Sequence, residues 1–344
     1  LRSAEYLRER DIDLLRGSVT QLDDHAGTAT LADGSQLAFT AALLATGGRA
    51  RNPFAPHALT LRTHADLRAL RERATSAEHI VLVGSSYIAV EAASMLRDAR
   101  KDVRITLIAR KKLYGGRLAP EATRVMAALV EAAGVELRAG EVRTVEPGRV
   151  LLASGEAVPA DLVVMAVGIE PNVDALRPEL RGATGGCRVD RELRASERLF
   201  AAGDVAEVEG RRVEHYSEAI EQGMLAAWNM LGRRRRHVFA PFFWTRAFNQ
   251  SVASVGLAPA NPRTVLHGDP AARSFVEFQC DETHCPAMQG VNAGEKMVLF
   301  AQALRLGRRV TPGEAAQPGF FDALREELRA NARLCRCMRE QSSR

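Results

Sequence analysis

The chain repeats itself, and the repeat limits what it can fold into. Asp11-Ile-Asp-Leu-Leu-Arg-Gly17, Leu31-Ala-Asp-Gly34 and Leu43-Leu-Ala-Thr-Gly-Gly48 form one series. Gly134-Val-Glu-Leu-Arg-Ala-Gly140, Leu152-Ala-Ser-Gly155 and Leu162-Val-Val-Met-Ala-Val-Gly168 form a second. Gly34 and Gly155 are 121 positions apart, and so are Gly47 and Gly168. Each series reads as a strand, a hairpin with an Asp-Gly or Ser-Gly turn, and a buried strand ending in glycine.

A βαβ unit precedes the second series. His79-Ile-Val-Leu-Val-Gly84 reads as a buried strand, and Ser85 to Arg100 as a helix with Ile88, Ala92, Met95 and Ala99 on one face. Val103 to Ile108 reads as the next strand. By the offset of the repeat, the corresponding glycine loop of the first series falls upstream of Leu1. The first dinucleotide fold is therefore expected to be incomplete, with its phosphate loop cut off at the N-terminus. Beyond the repeat, Leu199-Phe-Ala-Ala-Gly-Asp204 reads as a short buried strand with an acidic end, His215 to Leu231 as a helix and Gly232 to His237 as a basic linker. Short strands and a helix from Pro241 to about Gly307 suggest a small α+β domain, and Gly319 to Glu340 a charged helix.

The 344 residues are 46% hydrophobic, enough for two or three cores. The net charge of +5 comes largely from Arg spread along the chain. That distribution argues against nucleic acid and suits an anionic cofactor or an acidic protein partner. Arg233 to Arg236 could steer such a partner or form a solvated linker. No apolar run approaches the roughly 18 residues of a membrane span. The cysteines are Cys187, Cys280, Cys285, Cys335 and Cys337, an odd number without a Cys-x-x-Cys pair. A reduced, cytoplasmic protein is expected, with Cys280 and Cys285 as incidental thiols flanking a turn.

Gly84-Ser85-Ser86-Tyr87-Ile88-Ala89 follows a strand and opens a helix, the context that gives a G-x-G-x-x-G pattern meaning. The first glycine permits the tight turn, and the helix N-terminus offers free N–H groups to a pyrophosphate. Ser86 and Ala89 replace the second and third glycines. At the end of the next strand an acid would bind a ribose 2′-hydroxyl. Here Ala109 is followed by Arg110-Lys111-Lys112, which favours the 2′-phosphate of NADP over NAD, with Arg110 the foremost candidate and Lys111 beside it. A solvated charge run is the alternative.

Ala45-Thr-Gly-Gly48, Val83-Gly-Ser-Ser-Tyr-Ile-Ala-Val-Glu91, Asp161 to Gly168 followed by Pro171-Asn172, and Phe200-Ala-Ala-Gly-Asp204 occur in this order. The chain resembles the pyridine nucleotide-disulfide oxidoreductase superfamily. Glu214-His-Tyr-Ser-Glu-Ala219 and Pro241-Phe-Phe-Trp-Thr245 make it similar to the FAD-dependent ferredoxin reductases, the apoptosis-inducing-factor-like and Rieske-associated branch. The resemblance implies an α/β fold with two Rossmann-like domains, the first incomplete, and a small α+β C-terminal domain. The division expected is FAD-binding residues 1–68 and 186–236, NAD(P)-binding residues 69–185, a C-terminal reductase domain at 237–311 and a helical tail at 312–344.

The resemblance also implies roles. Thr46, Gly47 and Asp204 would lie beside FAD, with Asp204 on the ribityl chain. Glu214, His215, Tyr216 and Trp244 would lie near the flavin ring, and Glu91 and Gly168 would line the nicotinamide side. Electrons would pass from NAD(P)H through FAD to a ferredoxin or Rieske-type iron–sulfur partner, with no side chain singled out as catalytic. A flavin disulfide reductase or NADH oxidase, or a fragment that binds only NAD(P), are the alternative readings.

Overall fold

The computed structural model describes residues 2–110 and 112–342, with backbone only for residues 332–342. The chain folds as two compact units, and each is built from two stretches of sequence.

One unit holds the residues up to Gly48 together with Pro171–His237. Its antiparallel meander joins Val19–Asp23, Thr28–Leu31 and Gln36–Ala38. Beside it are two parallel pairs, Ala42–Leu44 with Leu199–Ala201 and Cys187–Val189 with Ala206–Val208. Leu44, Leu199, Phe200, Val205 and Val208 are buried there. The helix Tyr216–Met230 follows.

The other unit holds Arg49–Glu170 and the chain from Val238 onward. Its parallel sheet runs in the order Leu59–Thr60, Leu162–Met165, His79–Val83, Arg104–Ala109 and Val135–Ala139. His79–Val83 is buried throughout, as expected of a strand covered on both faces. The helices Tyr87–Ala99 and Pro120–Ala132 are the crossovers of this sheet. A second meander joins Val142–Glu146, Arg149–Leu152 and Ala157–Pro159. The C-terminal part is an antiparallel sheet in the order Phe242–Ala247, Gln250–Gly256, Ala287–Val291, Ser274–Cys280 and Arg263–Asp269. The helices Gly294–Arg305 and Phe320–Ser342 accompany this sheet, and Phe278, Phe300, Phe320 and Phe321 pack ring against ring.

The repeat is real in three dimensions. Both meanders carry a register shift in the same place, between Val19 and Gln21 and between Val142 and Thr144. Gly34 and Gly155 turn at φ 86° and 89°, the left-handed conformation that a hairpin glycine supplies. The Asn172 amide donates to the Gly47 carbonyl, and the Arg51 amide donates to the Gly168 carbonyl. Arg51 and Asn172 differ by the same 121 positions, so the two passages of the chain between units are built alike.

Three sequence expectations fail. Asp11 to Gly17, read as the strand that opens the first series, forms no strand and exposes Ile12, Leu14 and Leu15, whereas its counterpart Val135–Ala139 is one. Cys280 and Cys285 are not incidental thiols but a disulfide. The Asp281 carboxylate accepts from the Thr283 and His284 amides, and the Asp281 amide donates to the His284 carbonyl. This closed turn brings the two cysteine Cα atoms to 3.8 Å. The helix at the phosphate loop buries Ala89, Val90, Ala92, Ala93 and Leu96, whereas Ile88 and Met95 are exposed. The small residues face the sheet because a helix must approach it closely behind a phosphate loop.

Candidate functional site

In the parallel sheet, the site grows from the end of His79–Val83. Gly84 has φ 129°, a conformation reserved for glycine. A Cβ placed there would stand 2.3 Å from the Ala166 carbonyl oxygen. The close approach of two strand ends thus demands glycine. Ser86 caps the helix Tyr87–Ala99: its hydroxyl accepts from the Ala89 amide and donates to the Ala166 carbonyl at 2.9 Å. This explains why serine serves where a second glycine is usual. Ala89 is fully buried. The Ser85 carbonyl accepts from the Gly115 amide, which ties the Leu113–Gly116 turn to the loop. Tyr87 packs on Tyr114 and Phe243, with ring centroids 5.0 and 3.8 Å away. Burial pushes its phenol up to about 12, against the opposing charge of Arg117.

Glu91 lies one turn into this helix. Its carboxyl accepts from the Thr245 hydroxyl, which comes from the C-terminal sheet. Burial raises its pKa, and the Thr245 bond opposes the rise. Trp244 is next in the same strand, and it is exposed while Thr245 is buried, as alternation requires. Gly168 has φ 102° and is exposed beyond the end of Leu162–Met165. Arg110 is exposed and pairs with Glu141 at 3.0 Å. An exposed pair of this kind is worth less than about 1 kcal/mol, so the guanidinium remains open to a stronger anion. Lys111 lies outside the described residues. Gly84, Ser85, Ser86, Tyr87, Ile88 and Glu91 are therefore brought together at one strand end, with Gly168 after the neighbouring strand.

The other unit gathers a second set. The Thr46 hydroxyl donates to the Asn172 carbonyl at 2.6 Å, and the Asn172 side-chain amide returns a bond to the Thr46 carbonyl. Gly47 follows at φ 61°. Asp204 sits in the turn Gly203–Val205, directly after Leu199–Ala201. Arg212 joins this turn to the next motif: it donates to the Asp204 carbonyl at 2.8 Å and to the Glu214 carboxylate at 2.9 Å. His215 caps the helix Tyr216–Met230 by accepting from the Ser217 amide, and its ring lies 5.3 Å from that of Tyr216. Behind the turn, Gln222 accepts from the Gly203 amide and donates to Glu218, which His237 also contacts at 2.6 Å.

The donor sets fit the groups that such folds bind. A glycine-only strand end at a capped helix N-terminus suits a pyrophosphate. A carboxylate in a glycine turn, a hydroxyl and a second helix N-terminus suit a polyhydroxyl chain and an electron-rich ring carbonyl. Arg212, Gln222, Thr245 and Arg117 were not singled out from the sequence. Gln222 could have been found, since it stands four residues after Glu218 on the helix face that is buried.

The family model for pyridine nucleotide-disulphide oxidoreductases matches residues 4–223, and the reductase C-terminal model matches residues 242–326. The chain belongs to the pyridine nucleotide-disulphide oxidoreductase family. It is similar to a 5,5′-dehydrodivanillate O-demethylase ferredoxin reductase subunit of Sphingobium sp., 32% identical over 90% of this chain and 80% of the relative. The ferredoxin–NAD(+) reductase component of a Burkholderia cepacia anthranilate 1,2-dioxygenase system is 28% identical over 92% and 83%. Among solved structures, a covalent putidaredoxin reductase–putidaredoxin complex aligns with a TM-score of 0.86 and 25% identity, covering 96% of this chain and 84% of that one. Among the described residues no helix is long and apolar enough to cross a membrane.

Proposed function

We propose that this chain is an FAD-dependent NAD(P)H oxidoreductase that passes electrons to a ferredoxin or Rieske-type iron–sulfur protein. One observation carries the choice within the family. The C-terminal antiparallel sheet, which the reductase C-terminal model covers, delivers Thr245 onto Glu91 and Phe243 onto Tyr87 beside the phosphate loop. FAD, bound through Thr46, Gly47, Asp204 and the N-terminus of Tyr216–Met230, would supply the conversion of a two-electron donor into single electrons. The chain's own residues hold and orient: Gly84 to Ile88 take the pyrophosphate, Glu91 and Gly168 face the nicotinamide, and Glu214, His215 and Tyr216 face the flavin. The division into 1–68 with 186–236, 69–185, 237–311 and 312–344 belongs to the same reading, as does a cytoplasmic setting, where nicotinamide donors are abundant.

NADPH is the proposed donor. Arg104–Ala109 ends without an acid, and Arg110 follows at the surface. Arg110→Ala should weaken NADP+ binding about tenfold and leave NAD+ binding unchanged, because guanidinium binds phosphate through paired donors. Equal loss for both nucleotides would reassign the residue. The wider function is tested by stopped-flow mixing of the FAD-loaded chain with NADPH and a [2Fe–2S] ferredoxin. Bleaching of the flavin followed by ferredoxin reduction is expected. Flavin reduction with electrons going only to a disulfide or to oxygen would overturn the assignment.

A further inference from the structure

Two buried side chains of the C-terminal sheet reach the nucleotide-binding half of their own unit. Glu277 and Gln289 face each other across Ser274–Cys280 and Ala287–Val291, and each is 3% exposed. The Glu277 carboxylate accepts from the Glu121 amide at 3.1 Å and from the Ala122 amide at 2.8 Å. These are orphan donors at the start of Pro120–Ala132, a helix whose own N-cap, Ala119, provides no side-chain bond. The Gln289 amide spans Leu118, accepting from the Ala119 amide and donating to the Arg117 carbonyl. Two side chains thus hold Arg117 to Ala122 by four hydrogen bonds. Upstream, Gly115 is bonded to Ser85 of the phosphate loop, and Tyr114 packs on Tyr87. The intervening turn is made of left-handed residues, Tyr114 at φ 57°, Gly115 at 67° and Gly116 at 72°. The buried Tyr114 seats the turn on Tyr87, the Gly115 amide ties it to Ser85, and Gln289 holds the backbone that leaves it at Arg117 and Ala119.

We infer that Glu277 and Gln289 are positioning residues for the nicotinamide nucleotide, fixing from the C-terminal sheet the turn that carries the exposed Arg117 next to the phosphate loop. The inference rests on the proposed NAD(P) site at Gly84. It makes the C-terminal domain a determinant of nucleotide affinity without touching the nucleotide. A backbone held by backbone-directed hydrogen bonds keeps Arg117 where an anionic group on the phosphate loop can meet it. Released from Gln289, the turn would still fold but would sample many positions, and each binding event would have to order it again.

The test is a double-mutant cycle on the full chain, read by titration calorimetry with NADP+. Gln289→Leu and Arg117→Ala should each weaken binding about tenfold. The double variant should be no weaker than the weaker single one, because both changes remove the same contact. Glu277→Gln, which keeps volume and one acceptor, covers the case in which Gln289→Leu does not fold; it should weaken NADP+ binding severalfold while leaving FAD binding unchanged. Unchanged affinity in a folded Gln289→Leu or Glu277→Gln protein would overturn the inference, and so would strictly additive losses. Gly84→Ala separates this failure from failure of the site itself. If that variant also binds NADP+ normally, the nucleotide site is misassigned; if it loses binding while the Gln289 variant does not, only the positioning role falls.

Discussion

Replacing Gly84 by alanine puts the phosphate-loop reading under the greatest strain. The added Cβ would meet two atoms of the Ala166 backbone, the carbonyl oxygen at 2.3 Å and the carbonyl carbon at 2.8 Å. Neither can rotate away, since Ala166 follows Leu162–Met165, a strand paired on both sides in the parallel sheet, and its amide is bonded to the Val83 carbonyl. The φ of 129° adds a backbone penalty of about 1–3 kcal/mol for any residue with a side chain. Overpacking against fixed backbone adds about 1–3 kcal/mol. A total of about 2–6 kcal/mol exceeds what the loop can absorb in place, so the loop moves, and with it the Ser86 cap that holds Ala166. Binding of NADP+ should weaken on the order of a hundredfold, and the melting temperature should fall by about 5–10 °C. Calorimetric titration with NADP+ and differential scanning calorimetry measure the two effects. FAD binding should be retained, because Thr46, Gly47 and Asp204 belong to the other unit. Binding within twofold of the parent, with no loss of thermal stability, would refute the argument that Gly84 is required by the approach of the two strand ends.

Other consequences concern charge and burial. Hydrogen bonds from Arg177 hold the buried Asp24 carboxyl well below the usual carboxylate range, so its stabilisation is present above about pH 4 and is lost as the pH falls further. Asp24→Asn should therefore cost about 2 kcal/mol near neutrality, with the difference from the parent shrinking in acid; a constant difference across the acid range would contradict this. Glu91 behaves in the opposite sense, since burial raises its pKa and its neutral form is the one the fold prefers. Its contribution is full below the ordinary carboxylate pKa and declines as the pH rises, so Glu91→Gln should melt about 2 °C higher than the parent at pH 8 and equal it near pH 4. Cys187 is a free thiol, fully buried and pushed by burial to about 12. Iodoacetamide should leave its tryptic peptide unmodified in the native protein and alkylate it after denaturation, and rapid native labelling would show that the strand Cys187–Val189 is open.

What the sequence disclosed and what it withheld follow from how far each constraint reaches. The repeat was legible because a hairpin glycine and a strand-ending glycine answer to local backbone sterics, and the two copies keep Gly34 with Gly155 and Gly47 with Gly168. Gly84 and the cap at Ser86 were legible for the same reason: a strand, a turn and a helix start within a few residues. The partners that give these loops their chemistry were not. Arg212 reaches Asp204 and Glu214 from a loop with no motif, and Glu141 meets Arg110 across 31 positions. The turn between Cys280 and Cys285 looked like an ordinary hairpin, and nothing local distinguishes two thiols beside a turn from two joined across it. Glu277 and Gln289 lie 155 to 172 positions from the backbone they hold. Yet their strands carry a signal of another kind. Phe275 to Cys280 and Ala287 to Val291 are buried without interruption, so both faces of the sheet are covered. A strand buried on both faces is ordinarily an apolar run. Glutamate and glutamine within such a strand demand hydrogen-bond partners, and the partners available to them are free backbone groups such as those at the unpaired start of a helix. Glu277 and Gln289, buried polar residues on two otherwise largely apolar strands, find those partners where the C-terminal sheet meets the nucleotide-binding half, and this need connects them to the phosphate loop on physical grounds.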